Sequence, residues 1–306
     1  MHVYLPIAEI SVNTILVVGL GGLIGIVSGV FGVGGGFLLT PLLLFIGVPA
    51  PVAVATGSNQ IVAASFSGAL AHWRRGNVDV PMALVLLCGG LVGGGFGVWL
   101  FGVLRRLGHI DLVVSFTYVV LLGSLGLLML QESIRTYLRL ARSGGKPRRL
   151  HQHNWLHGLP LKMRFRKSRL YISALLPLSL GLGIGLMTAI MGVGGGFLMV
   201  PAMIYLLGMP TAMVVGTSLL QIVFVAGAIT FLQAWQNQAV DVVLAFLLII
   251  GGVIGAQIGT RIGSRLRGEQ LRGLLAVTVL VVCLKLAFDL MVTPADRYSV
   301  AVMLLS

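Results

Sequence analysis

Charge is what this sequence has least of. Only 9% of its 306 residues are Asp, Glu, Lys or Arg, and just eight are acidic. Soluble domains average about 25% charged residues, so this chain lacks the polar surface needed to face water. Ile10 to Trp73 contains no charged residue across 64 positions, and Leu170 to Val240 contains none across 71. A bilayer-crossing helix takes about 20 apolar residues. Each stretch therefore holds several crossings, and a soluble fold is excluded.

Cysteine is nearly missing too. Cys88 and Cys283 both sit in apolar stretches without CxxC or zinc-site spacing, which excludes a disulfide scaffold and leaves no redox compartment to infer. They read as small apolar packing residues. No HExxH, GxSxG or carboxylate pair falls within the apolar spans, so nothing supports an intramembrane enzyme, and no cofactor is expected. The N-terminus has neither a basic n-region nor a clear small-residue cleavage site. The first apolar segment is therefore expected to remain as a membrane helix.

What is present is apolar and repeated. Hydrophobic residues make up 57% of the chain, with a mean hydropathy of +1.03. The net charge of +13 is concentrated: Gln131 to Arg169 holds eleven Lys/Arg against one acidic residue, Glu132. A basic balance can signal nucleic acid. Its confinement to one stretch between apolar blocks instead fits a cytoplasmic loop that follows the positive-inside rule and lies near anionic lipid headgroups. No nucleic-acid partner is expected. His151, His153 and His157 in this stretch lack a nearby acidic or Cys partner, so no metal site is assigned.

The run Gly32-Val33-Gly34-Gly35-Gly36-Phe37-Leu38 recurs letter for letter as Gly192-Val193-Gly194-Gly195-Gly196-Phe197-Leu198. Around it, Pro41 pairs with Pro201, Thr56 with Thr217, Gln60 with Gln221, Trp73 with Trp235 and Asp79 with Asp241. Gly89, Gly93 and Gly97 pair with Gly251, Gly255 and Gly259. One near-constant offset over about seventy residues marks a duplication. Each copy reads as five apolar segments: 12–31, 36–47, 52–72, 80–104 and 111–130, then 171–191, 196–207, 211–232, 242–263 and 271–292. The expected organisation is a first membrane repeat (1–130), a basic cytoplasmic connector (131–169), a second membrane repeat (170–293) and a C-terminal tail (294–306).

The second segment of each copy is too short to cross. Phe37 to Gly47 gives about 16 Å of helix against a hydrocarbon core of about 30 Å. Glycine triplets precede these segments, with Pro41 and Pro201 inside them, so they punctuate the helix. Paired, interrupted segments in two halves point to a transporter binding site. If all five segments of each copy cross, the repeats are inverted. Arg74, Arg75, Arg265, Arg267 and Arg272 would then share the cytoplasmic side, with residues 233–240 outside. Arg105 and Arg106 would also fall outside, against the positive-inside rule. If the short second segments are re-entrant, the crossing count changes and the orientation with it.

The repeated Gly-x-Gly-Gly-Gly-Phe-Leu after an apolar helix, Gly216-Thr217-Ser218, and the run Ala71-His72-Trp73-Arg74-Arg75-Gly76-Asn77-Val78-Asp79 resemble the TauE/SafE sulfite exporter family, also called the toluene sulfonate uptake permease group. The resemblance covers nearly the whole chain except the basic connector. It implies a multi-pass permease of the bacterial inner membrane for anionic sulfur compounds such as sulfite or organosulfonates.

Two readings compete at each constellation. The glycines Gly32, Gly34, Gly35 and Gly36, with Gly192, Gly194, Gly195 and Gly196, serve either close helix packing or a helix break whose free N–H groups face an anion. Thr56, Asn59, Gln60, Thr217, Ser218 and Gln221 either bond between helices or line the site. His72, Arg74 and Arg75 anchor the interface or form an electropositive vestibule. Lys285 and Asp289, one turn apart, are a snorkelling pair or a coupling element. Asp79 and Asp241 are expected to cap the helices that follow.

The expected molecule is an all-α polytopic membrane protein of two five-segment repeats, inverted, with short interrupted helices. It would be a secondary transporter for a small anion, with a site between the repeats built from the glycine breaks, Gln60 and Gln221. A passive anion channel or an exporter of a non-sulfur metabolite is the competing expectation. Proton coupling and homo-oligomerisation stay open.

Overall fold

The computed structural model describes residues 2–31, 36–142, 161–165, 167–168, 170–263 and 268–291. The chain is mostly helical and has the character of a polytopic membrane protein. Before the connector come α1 (Thr14–Phe31), α2 (Gly36–Phe45), α3 (Ala50–Arg74), α4 (Val80–Arg106) and α5 (Ile110–Arg142). After it come α6 (Leu175–Met191), α7 (Gly196–Tyr205), α8 (Thr211–Leu232), α9 (Val242–Gly263) and α10 (Gly268–Met291). A π-helical turn, Gln233–Asn237, ends α8. Among the described residues, four stretches are long and apolar enough to cross a bilayer: Val80–Arg106, Ile110–Leu128, Met213–Asn237 and Val242–Gly259.

The all-α expectation needs one correction. Two four-residue hairpins precede α1 and α6: β1 (His2–Leu5) with β2 (Ile10–Asn13), and β3 (Lys162–Phe165) with β4 (Leu170–Ser173). Apolar and polar residues alternate along Ile-Ser-Val-Asn and Lys-Met-Arg-Phe, which is the period of a strand rather than a helix. β2 and β4 run straight into apolar helices and β3 is followed by basic residues, which hid the alternation. An isolated hairpin is marginal, so these need anchors elsewhere in the fold.

The helices pair across the connector: α1 with α9, α4 with α6, α3 with α8 and α5 with α10. Glycine makes the two tightest contacts. A Cβ at Gly255 would stand 2.0 Å from the Gly22 carbonyl oxygen, and one at Gly251 2.1 Å from that of Val18. On the other pair, a Cβ at Gly93 would stand 2.0 Å from the Leu182 oxygen, and one at Gly89 2.1 Å from that of Leu178. Real side chains do not approach so closely, so only glycine lets these backbones touch, as small residues do at membrane helix interfaces.

α3 and α8 run antiparallel. Gly216, early in α8, packs on His72 late in α3, and Gly68 packs on Leu219. The short helices α2 and α7 are ten residues each, about 15 Å long, and each carries an internal proline, Pro41 or Pro201. Left-handed Gly47 and Gly208 turn the chain out of them, and Pro49 and Pro210 stand at the starts of α3 and α8. Cys283 does pack, its thiol donating to the Val119 carbonyl at 3.4 Å. Cys88 departs from the expectation: it is exposed on α4 rather than packed.

Candidate functional site

The break between α6 and α7 is built from three glycines and the buried Val193. Gly192, Gly194 and Gly195 have φ of +70°, +72° and +74°, the left-handed region that L side chains avoid. Space forbids a side chain as well. A Cβ would meet the Val54 oxygen at 2.6 Å from Gly192, the Ile61 side chain at 2.4 Å from Gly194, and Ile184 at 2.8 Å from Gly195. Residues 192–197 are all buried. No side chain caps α7, whose N-cap is Gly195. The first N–H groups of any helix lack partners within it, and here they open at the positive end of a helix inside the protein.

The start of α2 meets this break. A Cβ at Gly36 would lie 2.6 Å from the Val193 oxygen and 2.2 Å from Ile61. Phe37 and Phe197 stack with ring centroids 4.3 Å apart. Gly36 and Phe37 therefore face Val193 and Phe197, with Ile61 of α3 wedged against Gly36 and Gly194. Gly32, Gly34 and Gly35 lie outside the described residues, as do His151, His153, His157, Arg265 and Arg267.

The carbonyl of Met191, at the end of α6, accepts from the Tyr118 hydroxyl at 2.7 Å and from the Thr40 hydroxyl at 3.2 Å. All of these groups are buried. This carbonyl is one of those a helix end leaves unpaired, and α5 and α2 satisfy it. Sequence reasoning missed both hydroxyls. Thr40 stands as a polar group alone in an apolar run, and Tyr118 follows Ser115 and Thr117 in α5.

The glutamines do not meet at one point. The Gln60 amide nitrogen donates to the Gly21 carbonyl of α1 at 3.2 Å and lies against Gly252 of α9. Gln221 lies against Gly90 of α4. Each is buried, and the side-chain oxygen of each lacks a hydrogen-bond partner. A buried orphan acceptor costs about 1–3 kcal/mol, and it occurs here at two matched positions.

The threonines are engaged elsewhere. Thr56 Oγ1 accepts from the Asp241 N–H and Thr217 Oγ1 from the Asp79 N–H, both at 3.0 Å. Asp79 caps α4 through Met82 N at 3.4 Å, and Asp241 caps α9 through Leu244 N at 3.0 Å, as expected. Ser218 bonds its own helix at Val215, and Asn59 is half-buried on α3.

At the end of α3, Arg74 and Arg75 are exposed, while His72 Nδ1 is buried without a partner. Lys285 and Asp289 form an ion pair at 3.6 Å with about half of each side chain exposed, and the Lys285 ammonium sits 3.7 Å above the Phe45 ring. The lysine of this half-exposed pair on α10 therefore faces α2. Among the described residues the buried charged side chains are Asp79 and Asp241. The break itself is held by neutral groups.

A family model described as "Sulfite exporter TauE/SafE" matches residues 17–286. A "Probable membrane transporter protein" of Xylella fastidiosa (strain 9a5c) is 32% identical over 247 residues, covering 79% of this chain and 81% of the relative. The "Probable membrane transporter protein YjnA" of Bacillus subtilis (strain 168) is 26% identical over 279 residues, covering 90% and 99%. No solved structure matches the chain with significance.

Proposed function

The chain belongs to the sulfite exporter TauE/SafE family and is a membrane transporter, not an enzyme; from that premise we propose that it carries a small anion across the bacterial inner membrane by alternating access between two inverted halves. Sulfite, an organosulfonate or a related sulfur compound is the substrate class. The observation that carries the reading is the buried, uncapped start of α7 at a glycine break, facing the matched start of α2. With no Lys or Arg among the described buried side chains, an anion there must be held by neutral donors and helix ends. A helix end contributes up to about 2 kcal/mol in partly buried geometry. Such binding is weak enough to permit release.

Two inverted halves account for the antiparallel α3 and α8 and for the reciprocal Thr56–Asp241 and Thr217–Asp79 bonds. They also account for the cross-connector pairing of every long helix. The basic 131–169 stretch then lies on the cytoplasmic face against anionic headgroups.

The test is uptake of labelled sulfite and of a labelled organosulfonate into proteoliposomes, with and without a pH gradient. Saturable uptake, accelerated by unlabelled substrate on the far side, is the expected result. Flux without such acceleration would favour a channel. No flux of either anion would sink the substrate class. An effect of the gradient would establish proton coupling.

A further inference from the structure

We propose that Asp79 and Asp241 are positioning residues for the transport cycle, each latching one mouth of the pathway by tying a β-hairpin to the start of a helix from the other half. The inference rests on the alternating-access reading above.

Each carboxylate has two jobs. Its Oδ1 caps the helix that follows, α4 or α9. Its Oδ2 reaches a hairpin turn across the connector. Asp79 Oδ2 accepts from Ser168 N at 2.9 Å and Ser168 Oγ at 2.5 Å. Asp241 Oδ2 accepts from Ile7 N at 3.1 Å. The partners are 89 and 234 residues apart in sequence, so neither bond belongs to local folding. A threonine of α8 or α3 holds the N–H of the same aspartate.

The hairpins press on the moving parts. Leu5 of β1 is fully buried with Leu39 and Leu43 of α2 and Leu244 and Leu248 of α9. Phe165 of β3 is fully buried with Met199 and Met203 of α7 and Met82 and Leu86 of α4. Each hairpin thus covers one short broken helix and one helix of the other half. Because α3 and α8 are antiparallel, the two latches stand at opposite ends of the bundle. The Asp79 latch is beside Arg75, and the Asp241 latch follows Asn237.

The latches are unequal. Ser168 gives Asp79 two donors, and Lys167 Nζ adds a bond to the Val78 carbonyl at 3.1 Å. Ile7 gives Asp241 one. A hydrogen bond to a charged group is stronger than one between neutral groups, so the end beside Arg75 is the more firmly shut.

The experiment reads access without a substrate, so its failure is separate from failure of the sulfite assay. Ser58 is fully buried on α3, between Val54 and Ile61, which pack against Gly192 and Gly194. A Ser58→Cys reporter in a Cys88→Ala/Cys283→Ala background is labelled with a membrane-impermeant maleimide in right-side-out and inside-out vesicles. Arg75→Cys and Asn237→Cys chains mark the two sides. Asp79→Asn, which weakens two such bonds, should raise labelling from the Arg75 side by more than the roughly tenfold that loss of one gives, without raising it from the Asn237 side. Asp241→Asn should do the reverse, by less. Ser168→Ala keeps the α4 cap and should follow Asp79→Asn in direction, which carries the test if Asp79→Asn does not fold. A merely structural role predicts the same change from both sides, or none in chains that stay monodisperse in gel filtration. Either result overturns the proposal.

Discussion

Phe37 and Phe197, matched letters of the repeated motif, stack with 4.3 Å between centroids and 17° between planes. The two motif stretches are thus joined through the residue that follows each glycine cluster. An aromatic pair adds about 0.5–1.5 kcal/mol beyond burial. Phe37→Leu and Phe197→Leu should each lower thermal stability in detergent, and the double variant should lose less than the sum. Strict additivity in that cycle would mean the rings share space without interacting.

The α6–α7 break should tolerate no side chain. At Gly195, with φ +74°, an Ala incurs about 1–2 kcal/mol of left-handed strain and presses on Ile184. Gly195→Ala should insert and fold with reduced sulfite uptake, and Gly195→Leu should abolish uptake while leaving insertion intact. Full uptake by the Leu variant would reduce the break to packing.

Neighbouring glycines of α4 should behave oppositely. A Cβ at Gly93 would collide with the Leu182 carbonyl, whereas nothing lies within 4 Å of one at Gly95. Overpacking costs about 1–3 kcal/mol, while removing a helical glycine gains roughly 0.5–1 kcal/mol. Gly93→Ala should lower the melting temperature and the yield of folded protein, and Gly95→Ala should leave both unchanged or raised. Equal effects would show that α4 and α6 do not meet at this face.

Several of these features were legible in the letters and several were not. The short helices were, because a glycine triplet precedes each and a glycine and a proline closely follow it, which bounds their lengths directly. Caps at Asp79 and Asp241 were, because capping is local. The hairpins were hidden by apolar strands running into helices at Thr14 and Leu175, and by basic residues that made Lys162–Phe165 read as loop. Ser168 and Ile7 as partners of the aspartates depend on tertiary approach that no spacing encodes. Tyr118 was not among the matched letters of the two stretches, so it drew no emphasis. Gln60 and Gln221 stood out as a pair, but which helix each faces follows from glycines on α1, α9 and α4.

Arg105 supplies the last prediction, because in the inverted arrangement proposed above its charge would sit where the positive-inside rule disfavours it. Its guanidinium donates to the Asn237 carbonyl beyond the end of α8. Asn237 Nδ2 in turn donates to Gln233 Oε1 at 2.6 Å, and Gln233 Nε2 to the Ala189 carbonyl of α6 at 3.3 Å. The arginine therefore closes a chain of bonds that reaches within two residues of Met191, which gives it a local role that charge counting does not weigh. Arg105→Gln should cost about 1 kcal/mol, as exposed charged contacts do, and should not change the orientation of the protein. Cysteines at Arg75 and Asn237 should label from opposite sides of the membrane whether Arg105 is kept or carries the Arg105→Gln substitution. Labelling of both from one side would refute the antiparallel crossing of α3 and α8. A reversal of sides on Arg105→Gln would show that this residue steers insertion rather than tying α4 to the turn after α8.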